Sequence, residues 1–252
     1  MDHSTTARAY QPDGDSHAGR VIVVTGAGDG IGRAVALALA RQGATVGLLG
    51  RTQRKLERSY DQIVKSGSPK PALLPFNLET ATAAEYDALH DAIEREFERV
   101  DGLAHVAGIL GTRSPIDHYD VPTWCKVLHV NLTAEFILTQ SLLPLLRRSR
   151  DASIVFTSSS VGRRGKAYWG AYAVSKFGVE GLMQVLAHEL ADTTNIRVNS
   201  INPGPVRTAM RQQAFPGEAP ESHPEPSAVV APYLFLLGPA SQGVSALAFD
   251  CQ

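Results

Sequence analysis

Short, almost unbroken apolar runs recur along the chain, separated by longer stretches in which apolar positions return every third or fourth residue. The runs fall at 20–25 (RVIVVT), 44–49 (ATVGLL), 73–76, 102–106, 152–157 (ASIVFT), 196–202 (IRVNSIN) and 246–249. A run that does not alternate apolar with polar is the pattern of a strand covered on both faces. The intervening stretches predict amphipathic helices over 33–42, 81–98, 121–146, the segment beyond Lys176, and 228–237. In the second of these, Tyr86, Leu89, Ile93 and Phe97 share one face. Strand and helix in regular alternation predict an α/β fold, one doubly wound parallel sheet, with a ligand crevice at the carboxyl ends of its strands.

Chemistry-bearing residues cluster where those strands end. The first run leads into Thr25-Gly26-Ala27-Gly28-Asp29-Gly30-Ile31-Gly32 and then a helix rich in alanine and leucine. Glycines at a strand-to-helix turn let backbone N–H groups and the positive end of the helix dipole approach a pyrophosphate. After the second run an NAD site would present a carboxylate to the ribose 2′-hydroxyl, but here Gly50 and Arg51 follow. A cation in that place suits the 2′-phosphate of NADP, so NADP(H) is expected over NAD(H), the alternative being a solvated Arg51 on the next helix with Arg54, Lys55 and Arg58. Asn77 and Leu78 close the third run, where the Asn77 amide could reach an adenine edge. Small Ala107 and Gly108 close the fourth, while His105 reads as a core histidine.

The fifth run delivers Ser158, Ser159 and Ser160, and Tyr172 and Lys176 follow four residues apart. On a helix that spacing puts phenol and ammonium on one face, and a neighbouring cation lowers a phenol that otherwise titrates near ~10. Such a pair can move a proton at working pH, although Tyr and Lys also meet on ordinary helices. Asn131, inside an apolar run, either bonds to backbone or opens its helix to hold a relay water. The sixth run ends in Pro203-Gly204-Pro205-Val206-Arg207-Thr208, a rigid turn suited to the nicotinamide end of a cofactor. Residues 207–227, rich in Pro, Glu and Ser, read as a substrate lid or a plain surface loop. Arg163, Arg164 and Lys166 either rim the cleft toward an anionic substrate or are solvated loop charges.

Composition narrows the partners. A net charge of -1 gives no reason to expect nucleic acid or a membrane surface. Cys125 and Cys251, without a Cys/His cluster, exclude a structural zinc site and fit a reducing, cytoplasmic setting. The polar 1–19 segment reads as a flexible arm rather than a secretory signal, and 20–252 as one domain.

Together TGAGDGIG at 25–32, Asn131, Ser159, Tyr172, Lys176 and Pro203-Gly204 resemble the short-chain dehydrogenase/reductase family. Of the three serines, Ser159 matches the family's spacing to Tyr172. The resemblance implies a Rossmann-like fold and transfer of a hydride between a nicotinamide cofactor and a carbonyl or alcohol substrate. It implies Tyr172 as acid/base, Ser159 on the substrate oxygen, Lys176 on the nicotinamide ribose and Asn131 on the relay water. It also implies a homodimer or homotetramer formed through helices 121–146 and 170–193. Two departures stand out: His105-Val106 replaces a pair of asparagines, and Asn77 stands where an Asp is usual. The competing expectation is a catalytically silent NADP-binding scaffold or sensor.

Overall fold

The computed structural model describes residues 3–252. Among them, β1 (Val21–Thr25), β2 (Thr45–Gly50), β3 (Ala72–Pro75), β4 (Gly102–His105), β5 (Ser153–Thr157), β6 (Arg197–Asn202) and β7 (Ala248–Asp250) form one sheet. All its pairs are parallel, in the order β3-β2-β1-β4-β5-β6-β7. The order reverses between β1 and β4, the switch point at which open α/β sheets bind ligands.

Each face of the sheet is closed by helices. On one side α2 (Gly30–Arg41), α3 (Gln53–Lys65) and α9 (Ala231–Leu237) bury Val35, Leu39, Leu56, Ile63 and Tyr233 against Ile22, Val24 and Leu48. On the other, α4 (Ala83–Phe97), α6 (Ala134–Arg147) and α7 (Gly170–Leu190) bury Ile93, Leu138, Leu142, Val179 and Met183 against Val23, Leu103 and Phe156. Two-sided burial explains the unbroken apolar strands. A capping box fixes the start of α4: Thr82 takes the Glu85 N–H while Glu85 accepts from the Thr82 N–H.

Two sequence expectations change. The flexible arm is instead ordered over its described part, since α1 (His3–Arg8) docks on the carboxyl-terminal region. Ala7 is fully buried, Tyr10 packs edge-on to Phe235 at 5.6 Å, and Arg8 donates to the Gln252 carbonyl at 3.0 Å. Met1 and Asp2 lie outside the described residues. The helix expected over 121–146 is interrupted: α5 (Val121–Leu128) passes into a π turn at His129–Thr133 before α6 begins. Asn131 is the cause, because its side chain is bonded to a neighbouring strand's exit rather than to its own helix.

Candidate active site

The glycine turn closes tightly on itself and on β4. Gly26 holds φ 69, and a Cβ there would sit 3.1 Å from the Ala107 Cα. A Cβ on Gly32 would lie 2.4 Å from the Gly26 carbonyl, so any side chain would open the turn. Asp29 caps α2 by accepting from the Gly30 N–H at 2.8 Å, and Lys55 donates to its other oxygen at 2.5 Å. Lys55 foremost, with the Gly30 N–H, holds the Asp29 carboxyl below the ordinary carboxylate range. Ile31 packs on the core behind the turn.

At the end of β1, the Thr25 hydroxyl accepts from the Val106 and Ala107 N–H groups at 2.9 and 3.0 Å. It thereby satisfies the backbone N–H groups at the exit of β4, beside the position where His105-Val106 replaces a pair of asparagines. His105 is a buried core residue, as expected: its ring stacks on Phe156 at 4.8 Å, and burial pushes its pKa down to about 3. Arg51 is exposed and lies 3.5 Å from Glu79, a carboxylate that Lys126 approaches more closely at 2.7 Å. Asn77 is exposed, with its Oδ1 taken by the Glu79 N–H, and Leu78 is buried beside it.

Asn131 and Lys176, two of the candidate site residues, lie together beyond the end of β4. The Asn131 amide is fully engaged: Oδ1 accepts from the Ile109 N–H at 2.8 Å, and Nδ2 donates to the Ile109 carbonyl at 2.9 Å and the Ser175 hydroxyl at 3.1 Å. Asn131 thus bonds to backbone, the first alternative posed by the sequence, and it sits in a π turn that widens its helix. A Cβ on Gly108 would be 3.4 Å from Asn131 Oδ1 and 4.0 Å from Lys176 Nζ, which places all three together. Lys176 is buried and donates to the Thr157 carbonyl at the end of β5 at 2.6 Å. Two residues on, Ser159 is half-buried with extended backbone and heads a short turn containing Val161. Tyr172 is buried in a cluster with that Val161, Leu110 and Ala214. Ser158 is buried with its hydroxyl unpartnered, whereas the Ser159 hydroxyl accepts from the Val161 N–H at 3.5 Å and Ser160 is exposed.

The third wall comes from beyond β6. Gln252 donates to the Pro203 and Pro205 carbonyls at 2.7 and 3.0 Å and so braces the Pro203-Gly204-Pro205 turn. Val206 is buried, and Thr208 caps α8 (Ala209–Ala214) while its methyl lies 3.4 Å from a Cβ built on Gly30. The segment expected as a lid is internally tied, with Arg211 bidentate on Glu218 at 2.7 Å and Arg207 on Glu225 at 2.7 Å. It rests on the cleft through Arg113, whose guanidinium donates to the Ala214 carbonyl at 2.6 Å and lies over the rings of Trp169 and Phe215. The idea that Arg163 rims the cleft is overturned: it bonds Glu180, Asp250 and the Phe249 carbonyl, on the β7 side. Arg164 and Lys166 are simply exposed.

Three charged residues of this region had no site role legible in the sequence. Lys55 was placed on a solvated face, Arg113 carried no motif, and Glu135 was overlooked although a charge four residues beyond Asn131 in an apolar run was a visible signal.

A family model described as short chain dehydrogenase matches residues 20–219, so the chain belongs to that family, whose members are oxidoreductases. Within it, the chain is 46% identical over 243 residues to the uncharacterized oxidoreductase YciK of Escherichia coli K12, covering 96% of each. Its fold matches the structure of a short chain dehydrogenase from Pseudomonas syringae with a TM-score of 0.95 at 52% identity, covering 96% of this chain and 98% of that one. A short chain dehydrogenase from Escherichia coli CFT073 complexed with NADPH matches with a TM-score of 0.92 at 46% identity, covering 96% and 100%. Among the described residues no helix is long and apolar enough to cross a membrane.

Proposed function

We propose that this protein is an NADP(H)-dependent oxidoreductase that interconverts a carbonyl and an alcohol. What supports the reading is that the glycine turn meets Ala107, that Gly108, Asn131 and Lys176 lie together at the ends of β4 and β5, and that Tyr172 packs on Val161 in the short turn that Ser159 heads.

The residues fit a dinucleotide phosphate. Gly26, Gly28 and Gly32 leave no room for a Cβ, and the turn presents the amino end of a twelve-residue helix, a pyrophosphate cradle. No carboxylate follows β2; instead Arg51 and Lys55 stand there, each paired with a carboxylate it could exchange for a 2′-phosphate. Asn77 and Leu78 would border the adenine, Ala107 and Gly108 the middle, and Pro203, Gly204, Val206 and Thr208 the nicotinamide end. When bound, the nicotinamide supplies or takes up the reducing equivalent.

The protein's own groups manage the proton. Tyr172 gives its phenolic proton to the oxygen of a carbonyl being reduced, or takes it from an alcohol being oxidised. Ser159 holds that oxygen by a hydrogen bond. The Lys176 ammonium, fixed by the Thr157 carbonyl, stabilises the phenolate, and Asn131 keeps the widened helix turn where a relay water can be held. The segment 207–227 encloses the substrate.

Titration with NADPH and NADH, followed by turnover over a panel of aldehydes and ketones, tests the reading. NADPH is expected to bind at least about tenfold more tightly, as one charge-assisted contact allows, and at least one carbonyl to be reduced. Tight NADPH binding with no turnover across the panel would favour a silent scaffold or sensor.

A further inference from the structure

Directly behind the proton-handling pair lies a group with no place in the scheme above. Glu135, in the first turn of α6, is 1% exposed, and neither carboxyl oxygen has a hydrogen-bond partner among the described residues. Among the described residues its charged partner is Lys176, whose Nζ lies 3.8 Å from Oε1. Isolated carboxylates are not buried without cause, because removal from water costs several kcal/mol unless a charge or donors compensate. Here the compensating charge is the ammonium that Tyr172 depends on.

Among the described residues, the titratable groups on the neighbouring elements are engaged elsewhere. From β4, His105 donates through Nε2 to the Thr139 hydroxyl, which itself donates to the Glu135 backbone carbonyl, so this ring is a neutral structural member. From α7, Glu180 is occupied by Arg163 and the Ser200 hydroxyl. From α4, His90 meets the Ser141 carbonyl and Glu94 pairs with Arg148.

We propose that Glu135 is a positioning residue for the reaction: by binding or releasing one proton opposite Lys176, it sets how much of the ammonium's charge reaches Tyr172 and so the pH range of turnover. The inference rests on the Tyr172 and Lys176 roles given above. With Glu135 neutral, the full charge of Lys176 favours the phenolate. With Glu135 ionised, the carboxylate offsets that charge and the phenol holds its proton to higher pH. Burial, only partly opposed by Lys176, raises the Glu135 carboxyl to about 8, which places the exchange near working pH.

The test uses Glu135→Gln, similar in size and unable to ionise, and Glu135→Leu as an apolar second variant. The pH profile of kcat is measured with NADPH and p-nitrobenzaldehyde. In both variants the limb governed by the proton donor is expected to move to lower pH by about one unit, while KM for NADPH stays within about twofold. A second readout needs neither cofactor nor substrate. A carboxyl whose folded pKa is raised stabilises the fold below its unfolded pKa, and that contribution is lost as pH rises toward about 8. The Tm of each variant relative to the parent protein is therefore expected to climb between pH ~4.5 and about 8 and then level off. Superimposable kcat profiles, or a Tm difference independent of pH, overturn the proposal. Loss of turnover in the parent protein would instead defeat the underlying functional reading, and the Tm comparison would still decide the ionisation of Glu135.

Discussion

Arg51 illustrates how one side chain can decide cofactor choice. Its guanidinium is 63% exposed and only loosely paired with Glu79 at 3.5 Å, so it can turn to a phosphate at small cost. Arg51→Ala is expected to weaken NADPH binding about tenfold and NADH binding hardly at all, as read by titration of both cofactors. Gly32 is a sterner position: Gly32→Ala would force a methyl group to within 2.4 Å of a carbonyl oxygen, and we expect a fall in Tm of several degrees together with loss of cofactor binding. Legibility at this scale depends on how many roles a residue type can fill. Glycines in sequence after a strand, or Tyr and Lys four apart after a serine cluster, have few competing explanations once they share a strand-end crevice. Arg163 had two, and the pairing with Glu180 and Asp250 that decides between them joins residues far apart in sequence. Glu135 was as conspicuous as Asn131 in its apolar run, but its meaning depends on Lys176, forty-one positions away by subtraction (176 - 135).

Among the elements, the segment after β6 shows the limit of pattern reading. Its Pro, Glu and Ser content marked a loop, whereas α8 forms because Thr208 caps it and Arg211 clasps Glu218 across its end. The contact that seats it on the cleft, Arg113 between Trp169 and Phe215 at 5.1 and 4.6 Å, joins three separate segments and leaves no local trace. Arg113→Ala is expected to raise the KM of a carbonyl substrate about fivefold through the lost cation–π contacts, with little change in NADPH affinity. Equal KM values in steady-state assays would show that Arg113 does not seat the segment. The helix expected over 121–146 was correct in extent and wrong in continuity: apolar periodicity reports which face is buried, and α5 and α6 keep that face through the π turn.

Viewed as one molecule, the protein buries two histidines whose titration pulls stability in the direction opposite to that of Glu135. His17 is buried with Nε2 against the Leu234 carbonyl, and burial lowers it to about 4, while His105 falls to about 3. Both fold as neutral rings, so their contribution is complete above the ordinary histidine pKa near ~6.5 and is lost as pH falls toward 4 and 3. His17→Gln is accordingly expected to flatten the acid-side decline of Tm seen by calorimetry. Assembly is a second whole-molecule property. Phe136 on α6 and Val174, Phe177 and Val185 on α7 are each about half exposed, and we propose that these helices pair in a homodimer or homotetramer. Phe177→Glu should then shift sedimentation toward the monomer. The central claim, that Tyr172 moves the proton in a nicotinamide-dependent reduction, is tested most directly by single-turnover stopped-flow of the NADPH-loaded protein with p-nitrobenzaldehyde. The account predicts rapid loss of reduced-cofactor absorbance in the parent protein and at least a roughly hundredfold slower loss in Tyr172→Phe, in line with the roughly 10²–10⁴-fold contribution of a positioned acid. NADPH oxidation at the same rate in both proteins would contradict it.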